Sequence, residues 1–283
     1  MSICYYNGEF CQESSVRLPL NDLGITRGCA VFDYLRTYKG LPFHLEGHID
    51  RLEISAKLIA IKELPYSKQE IAHAVHQLLS KTKGEMGVRI YLSAGIPSRS
   101  IFPGNAPNLL ITLHPFTPFP EEFYRSGIKA LPLRLDRQLV ASKTCNYLNA
   151  VIALQERKDE GFEEVVYQDE NGGFLEGATS NFFVVVNEKL YTAPKERVLF
   201  GITRKIVMEL AEESGVSVVE KIAPIGSVWS EAFISSSNRE IMPVVAIGEK
   251  VVGSGKPGPV TALLQQKFAA YVSDWCSRQK KAL

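Results

Sequence analysis

The sequence lacks the features that mark secreted, membrane-spanning or strongly charged proteins. Its first residues, MSICYYNGEF, contain no basic flank followed by an apolar stretch, and its longest apolar runs are far too short to span a bilayer. Thirty-two Lys and Arg against thirty-one Asp and Glu give a formal charge of +1. Because so small a charge attracts neither nucleic acid nor an anionic membrane, we expect neither as a partner and predict a small-molecule ligand.

Cysteine is scarce, and its spacing excludes the usual metal sites. The five cysteines form no CxxC pair, and no histidine lies at metal-ligand spacing from them. They are Cys4, Cys11, Cys29, Cys145 and Cys276. We therefore expect reduced thiols, a cytoplasmic location and no bound metal.

What the sequence does contain is alternating helix and strand patterns in irregular order. A length of 283 residues with 45% apolar composition can bury a substantial core in two modest domains or one large one. Period two in VFDYLRTY predicts a strand over 31–38, and helical spacing follows from Glu46 and again from Ser67. Strands and helices mixed in this way, with several hairpin turns, favour an α+β fold in two lobes over a regular βαβ array.

A proline-rich stretch divides the chain. Pro115, Pro118 and Pro120 interrupt all periodicity, so we predict a small α+β domain over 1–115, a linker over 116–127 and a large α+β domain over 128–283. A ligand is expected in the cleft between the lobes.

Two residues stand out as candidates for chemistry. Lys143 lies in LVASKTCNYLNAV, a stretch without another charge, where desolvation would lower its pKa and favour a nucleophilic amine. The alternative is a solvated loop lysine. Glu176, in FLEGATSNFFVV, is either a surface turn acid or a buried counter-charge for a cationic ring.

Other residues are suited to binding an anion. Arg51, in HIDRLEISA, is either a helix-surface residue paired with a nearby glutamate or a phosphate fork. The run from Phe200 to Thr203 offers backbone amides at a helix start, although any Thr-capped helix has this pattern. The residues 235–238, SSSN, are either turn residues or hydroxyl donors to the same anion.

Together these motifs, in this order, resemble the fold-type IV (class IV) family of pyridoxal-phosphate enzymes. The resemblance spans nearly the whole chain, through HIDRLEISA, KTCNYLNAVIA, EGATSNFFVV, GITR and REIMPV. It implies two α+β domains with pyridoxal 5'-phosphate (PLP) at their interface and a homodimer. The family includes branched-chain aminotransferases, D-amino-acid aminotransferases and aminodeoxychorismate lyases.

The resemblance also implies roles for individual residues. Lys143 resembles the Schiff-base lysine, Glu176 the carboxylate facing the pyridine nitrogen, and Tyr147 the tyrosine that bonds the ring hydroxyl, with core packing as its alternative. These three form the expected catalytic set. The expected phosphate-binding set comprises Arg51, Ile202, Thr203, Ser236 and Ser237.

Substrate choice is less defined, because the chain departs from each subgroup. Branched-chain enzymes typically show FEGIR where this chain has FDYLR, so Tyr34 replaces a glycine and should shrink or reshape the pocket. Arg99 resembles an arginine of the D-amino-acid enzymes, without their accompanying histidine. Arg239 stands where the family commonly has a small residue and is either a carboxylate ligand or a salt-bridged strand-end residue. The expected substrate-binding residues are Phe32, Tyr34, Arg36, Arg99, Asn238 and Arg239.

Three functions follow from the resemblance. The first is an aminotransferase that exchanges an amino group between an amino acid, either a branched-chain L-amino acid or a D-amino acid, and a 2-oxo acid. The second is a lyase that releases pyruvate from aminodeoxychorismate, and the third is a protein that binds the cofactor without turnover. EGATSN and NYLNAV resemble the aminotransferases more, and intact Lys143 and Glu176 oppose the third.

Overall fold

The structure is a computed structural model that describes residues 2–282. Within these residues it contains fifteen strands, seven α-helices and short 3-10 turns at 13–15 and 158–160. The strands are β1 Ile3–Tyr6, β2 Glu9–Gln12, β3 Ala30–Tyr38, β4 Leu41–Pro42, β5 Met86–Ser93, β6 Asn108–Pro115, β7 Ile128–Arg134, β8 Phe162–Gln168, β9 Phe174–Gly177, β10 Asn181–Val186, β11 Lys189–Thr192, β12 Val218–Glu220, β13 Glu231–Ser236, β14 Glu240–Ile247 and β15 Lys250–Val251. The helices are α1 Leu23–Arg27, α2 Leu45–Leu58, α3 Lys68–Leu79, α4 Glu121–Ser126, α5 Leu148–Glu156, α6 Ile202–Glu213 and α7 Pro259–Ala282.

The chain divides into two compact units, and each mixes helices with sheet. The first comprises residues 1–117 and 142–146, and the second comprises residues 118–141 and 147–283. The expected α+β fold with two parts is confirmed. The segment 142–146 groups with the first unit, whereas the sequence-based boundaries assign all residues from 128 onward to the second domain.

The first unit is an antiparallel sheet backed by two helices. Its strand order is β2-β1-β6-β5-β3-β4, and α2 packs against β3 while α3 packs against β1 and β6. Strict alternation in β3 buries Val31, Asp33, Leu35 and Thr37 and turns the intervening residues to the other face. Because all buried neighbours of Asp33 on its own strand face are apolar or uncharged, its carboxylate needs dedicated partners.

The second unit is a nine-stranded mixed sheet whose path closes on itself. Strand β9 pairs with β8 and, through Glu176 opposite Asn181, with β10. The parallel pairs β14–β7 and β7–β8 lie between antiparallel neighbours. Helices α6 and α7 pack against β13, and α5 packs against β7 and β8.

Most long elements match the sequence patterns. Within the described residues, the strand predicted at 31–38 extends over 30–38, and the last helix, predicted to start near Pro259, does so. Helix α4 occupies part of the stretch predicted as a linker, and it packs against β14 of the second unit. No helix among residues 2–282 combines the length and hydropathy needed to cross a bilayer.

Candidate active site

Lys143 is held on the open edge of β3 by main-chain bonds. The carbonyl of Lys143 accepts from the amide of Phe32 at 3.0 Å, and the amide of Cys145 donates to the carbonyl of Ala30 at 3.0 Å. The Lys143 ammonium lies 4.7 Å from the centroid of the Phe32 ring. The lysine is therefore fixed at its backbone by the strand whose exposed face was predicted to bind substrate.

Helix α2 supplies a second attachment for the same segment. The amide of Lys143 donates to the buried hydroxyl of Ser55 at 3.0 Å, and the hydroxyl of Ser142 donates to the Ser55 carbonyl at 3.1 Å. Arg51 lies one turn earlier on α2, and residues four apart share a helix face. The candidate imine lysine and the candidate phosphate arginine are thus attached to one helix.

Arg51 makes a two-point contact with a buried carboxylate. Its Nε donates to Asp33 Oδ2 at 2.8 Å, and its Nη2 donates to Asp33 Oδ1 at 2.7 Å. His48 Nδ1 lies 2.6 Å from the same Oδ1. Burial pushes the pKa of Asp33 upward, but the charge of Arg51 and the hydrogen bonds from His48 and Arg51 outweigh it and hold that pKa well below its usual range. Asp33 is therefore an ionised, fully buried group beside Arg51.

The outer face of the first sheet is aromatic and basic. Period two places Phe32, Tyr34 and Arg36 on it, as predicted, and the register sets Tyr34 opposite Arg89. The Arg36 guanidinium lies 3.5 Å from the centroid of Phe116 and 4.2 Å from that of Tyr38. A guanidinium held by its faces directs its N–H groups in the plane, where carboxylates bind.

The Tyr34 side chain occupies space that the absence of a side chain at Gly87 leaves free. The Tyr34 ring centroid is 5.7 Å from that of His114, and a Cβ built on Gly87 would meet the Tyr34 hydroxyl at 2.7 Å and collide with the His114 ring. Burial lowers the pKa of His114, with the charge of Arg89 acting in the same direction. Gly87 therefore leaves space for Tyr34, the residue that stands where the branched-chain pattern has a glycine.

Arg99 lies in an exposed turn of the same unit. The backbone pairs Arg99 with Phe102, and the guanidinium is 5.2 Å from the Phe102 ring. Ile96, Ile101 and Phe102 are exposed around it. The turn brings an arginine and apolar side chains to one surface position.

In the second unit, Glu176 sits at the strand pair that closes the sheet. Its carboxylate is buried, pairs with the guanidinium of Arg137 and accepts from the amide of Leu199 at 2.9 Å. Asn181, opposite in register, donates to Glu176 at 3.5 Å and to the Leu199 carbonyl at 2.8 Å. The surface-turn alternative for Glu176 is wrong, because the residue is only 3% exposed.

Tyr147 lies close enough to this carboxylate to be influenced by it. Burial raises the pKa of Tyr147 well above its usual range; the charge of Arg137 opposes the rise, and Glu176 and Glu164 reinforce it. A phenol with a raised pKa stays protonated at neutral pH. Tyr147 is thus a hydrogen-bond donor in the electrostatic neighbourhood of Glu176 and Arg137.

The start of α6 has no side-chain cap. Gly201 precedes the first turn, and a Cβ there would come within 2.0 Å of the Asn181 side-chain oxygen. The amides of Ile202 and Thr203 therefore begin the helix beside a residue that also contacts Glu176. Nearby on β13, against which α6 packs, the buried Ser235 hydroxyl has no hydrogen-bond partner within residues 2–282.

The turn after β13 has its own internal bonds. The Ser236 hydroxyl donates to the Asn238 side-chain oxygen at 2.8 Å and accepts from the Arg239 amide at 3.3 Å. Ser237 is half-buried in this turn. The Arg239 side chain is buried, donates to the Glu163 carbonyl at 3.0 Å and lies 4.4 Å from the Phe119 ring centroid. Its placement favours the strand-end alternative over carboxylate binding.

Sequence reasoning missed three charged residues at these positions. Arg89 was detectable, because period two in β5 places it with Tyr91 on the outer face. Asp33 and Arg137 gave no local signal, since their partners Arg51 and Glu176 are distant in sequence. In the described part of the chain, no cluster of three or more His, Cys, Asp or Glu is arranged to hold a metal ion.

A comparison with known families matches residues 30–247 to the class IV amino-transferases. The chain belongs to this family. Its members use PLP, and the relatives are transaminases, so the chain is a PLP-dependent aminotransferase. The pattern-based family assignment is confirmed.

The relatives of this aminotransferase include branched-chain and D-alanine aminotransferases. It is 32% identical to a putative branched-chain-amino-acid aminotransferase of Methanocaldococcus jannaschii, with 96% of each chain covered. It is 30% identical to the D-alanine aminotransferase of Bacillus licheniformis, over 92% of this chain and 93% of the relative. The solved branched-chain aminotransferase of Escherichia coli superposes with a TM-score of 0.85 at 28% identity, covering 95% of this chain and 93% of that one.

Proposed function

We propose that this aminotransferase forms its covalent cofactor link at Lys143 and transfers amino groups between an apolar amino acid and a 2-oxo acid. The observation that carries the proposal is the double attachment of the Lys143 backbone, to β3 through Phe32 and to α2 through Ser55. A lysine that acts as base and acid at one carbon atom needs a backbone held in a fixed position.

The chain's residues fit the cofactor. Bound PLP supplies an aldehyde that captures the amino group and a protonated ring that accepts electrons when the Cα proton leaves. An ionised buried carboxylate suits the protonated ring nitrogen, and we assign that role to Glu176, whose charge Arg137 balances. The protonated phenol of Tyr147 is suited to donate to the ring hydroxyl.

The phosphate role is assigned to three groups of residues. Arg51 provides a guanidinium, Ile202 and Thr203 provide amides at an uncapped helix start, and the turn of Ser236 and Ser237 provides hydroxyls. The unpartnered buried hydroxyl of Ser235 supports this assignment, because a buried hydroxyl without a partner indicates a missing polar ligand.

Substrate carboxylates are assigned to the outer face of the first sheet. Arg36, held between Phe116 and Tyr38, is our first choice for the α-carboxylate, and Arg99 is the second. Phe32 and Tyr34 supply apolar walls on the same face, which supports an apolar amino donor. Asn238 lies in the turn beside Ser236 and is retained as a candidate substrate contact.

A homodimer in the cytoplasm is part of the proposal. The three exposed apolar residues Leu148, Val151 and Ile152 lie at helical spacing on α5, and a second copy is the occupant we propose for that stripe. The five cysteines form no disulfide among the described residues, which suits a reducing compartment. Light scattering on the purified protein measures the oligomer directly.

One panel assay tests the function. Purified protein with PLP is incubated with L- and D-forms of alanine and leucine, each with 2-oxoglutarate, with L- and D-glutamate, each with pyruvate, and separately with aminodeoxychorismate. We expect amino-group exchange with leucine or alanine of one enantiomer and no 4-aminobenzoate. Release of 4-aminobenzoate without exchange, or no reaction with any donor, would contradict the proposal.

A further inference from the structure

We propose that Asp33 is a positioning residue that orients Arg51 toward the cofactor phosphate. The inference rests on the proposed function, in which Arg51 binds that phosphate. Neither the spacing of the two residues in sequence nor the family resemblance pointed to this pair.

The contact fixes the arginine in rotation as well as in position. Asp33 binds the Nε and Nη2 edge of the guanidinium, at 2.8 and 2.7 Å. In a planar guanidinium, the Nη1 group then lies on the side opposite the carboxylate. A single-point ion pair would leave the plane of the guanidinium undefined, whereas the fork defines which edge faces outward.

The carboxylate itself is fixed by two further donors. The amide of Tyr34 donates to Asp33 Oδ1 at 2.7 Å, and His48 Nδ1 lies 2.6 Å from the same oxygen. An ionised carboxylate only accepts, so the imidazole proton is on Nδ1. His48 is buried, its pKa is lowered by that burial, and its Nε2 has no partner among the described residues. His48 therefore acts as a neutral donor that sets the carboxylate's orientation.

Core packing alone does not require this cluster. Asp33 occupies an inward position of β3 between Val31 and Leu35, where apolar side chains pack. Replacing a buried ion pair by apolar residues is often neutral or stabilising, so a charged pair at such a position is weak evidence for stability. Its use here is to hold a guanidinium that is 11% exposed in one orientation.

The test separates phosphate recognition from folding. The apoprotein is titrated with PLP and with pyridoxal, which lacks the phosphate, and binding is followed by the cofactor's absorbance. We expect Asp33→Asn to weaken PLP binding by roughly 10- to 100-fold, by analogy with the loss seen when the hydrogen-bond partners of metal ligands are removed. Pyridoxal binding should change by less than about twofold. Pyridoxal has no phosphate, so it makes no charge-assisted hydrogen bond that depends on the orientation of Arg51.

Two variants keep the test decisive if Asp33→Asn folds poorly. Asp33→Glu retains the charge but moves the carboxylate by one methylene, and it should also reduce the preference for PLP over pyridoxal. Thr37→Val is the matched control, since it removes another buried polar group from the same face of β3, one bonded to Glu85 and the Met86 amide. It should lower stability and leave the preference unchanged.

Arg51→Ala distinguishes the two proposals. If Arg51→Ala abolishes the preference for PLP while Asp33→Asn and Asp33→Glu keep it, Asp33 is not a positioning residue and the phosphate role of Arg51 stands. Equal weakening of PLP and pyridoxal in the Asp33 variants would also overturn the inference. If Arg51→Ala keeps the preference, the phosphate role of Arg51 itself is wrong.

Discussion

The amide of Lys143 donates a 3.0 Å hydrogen bond to the hydroxyl of Ser55, one helical turn beyond Arg51 on α2. Ser55 is fully buried, and its carbonyl accepts in turn from Ser142. The hydrogen bonds of Ser55 to Ser142 and Lys143 therefore explain why a small polar residue is buried on this face of α2. Ser55 ties the loop of the proposed imine lysine to the helix of the proposed phosphate ligand.

Removing the hydrogen bond between Ser55 and Lys143 should lower kcat while the protein still folds. We predict that Ser55→Ala lowers kcat on the order of tenfold, because a lysine displaced by a fraction of an ångström loses its alignment with the reacting carbon. Ser67→Ala is the matched control, because Ser67 caps α3 on the surface. It should lower the free energy of unfolding by about 1 kcal/mol with kcat unchanged. Equal kcat in both variants would mean that Ser55 only packs.

The charge of Glu176 should matter for rate. We predict that Glu176→Gln lowers kcat by roughly a hundredfold, because a neutral amide no longer favours a protonated ring nitrogen. Glu231→Gln is a matched control in the same unit, since Glu231 is buried and accepts from the amides of Val260 and Thr261 at the start of α7. That variant should lose about 1–3 kcal/mol of stability and keep its rate. Wild-type turnover in Glu176→Gln would assign Glu176 a structural role.

Arg36 of the first unit should affect substrate binding, whereas Arg239 of the second unit should affect stability. Arg36→Ala is expected to raise KM roughly ten- to a hundredfold for all amino donors, since every donor carries an α-carboxylate. Arg239→Ala is expected to lower the unfolding temperature and leave KM unchanged, because its guanidinium already bonds Glu163 and lies on Phe119. Unfolding curves and KM for alanine, leucine and glutamate measure both. If KM rose in Arg239→Ala and not in Arg36→Ala, Arg239 would be the carboxylate ligand and Arg36 the structural residue.

Acid should destabilise the protein partly through Asp33. Its pKa is lowered in the folded chain, so its ionised form contributes stability that is fully present above the unfolded pKa, about 4, and is lost as pH falls toward the folded pKa. We predict that the stability gap between wild type and Asp33→Asn is largest at pH 6–7 and narrows below about pH 4. Denaturant curves at each pH measure the gap. A gap that widens on acidification would contradict an ionised Asp33.

Local patterns were enough to predict most long elements but not their pairing. Period two identified β3 and placed Phe32, Tyr34 and Arg36 on one face, and helical spacing identified α2 and α3. Strand order depends on contacts between distant segments, which no local pattern reveals. The hairpin of β1 and β2 was missed, although Asn7 and Gly8 at positive φ form the two-residue turn that Asn-Gly favours.

The candidate site was predictable where a residue carries its own motif. Lys143, Glu176 and Arg51 stand in recognisable stretches, whereas Arg137 becomes a candidate only through its contact with Glu176. The same holds for Asp33, which in sequence is one polar residue in an aromatic strand. Ser55 gave no signal either, because serine in a helix is ordinarily a surface residue or a cap.

The most direct test of the account is to locate the cofactor's covalent attachment. The holoenzyme is treated with borohydride, which makes the lysine–cofactor bond permanent, then digested, and the labelled peptide is sequenced by mass spectrometry. We predict a single label on Lys143, and we predict that Lys143→Ala, still folded, takes up none. A label on another lysine, or an undiminished label in Lys143→Ala, would contradict it.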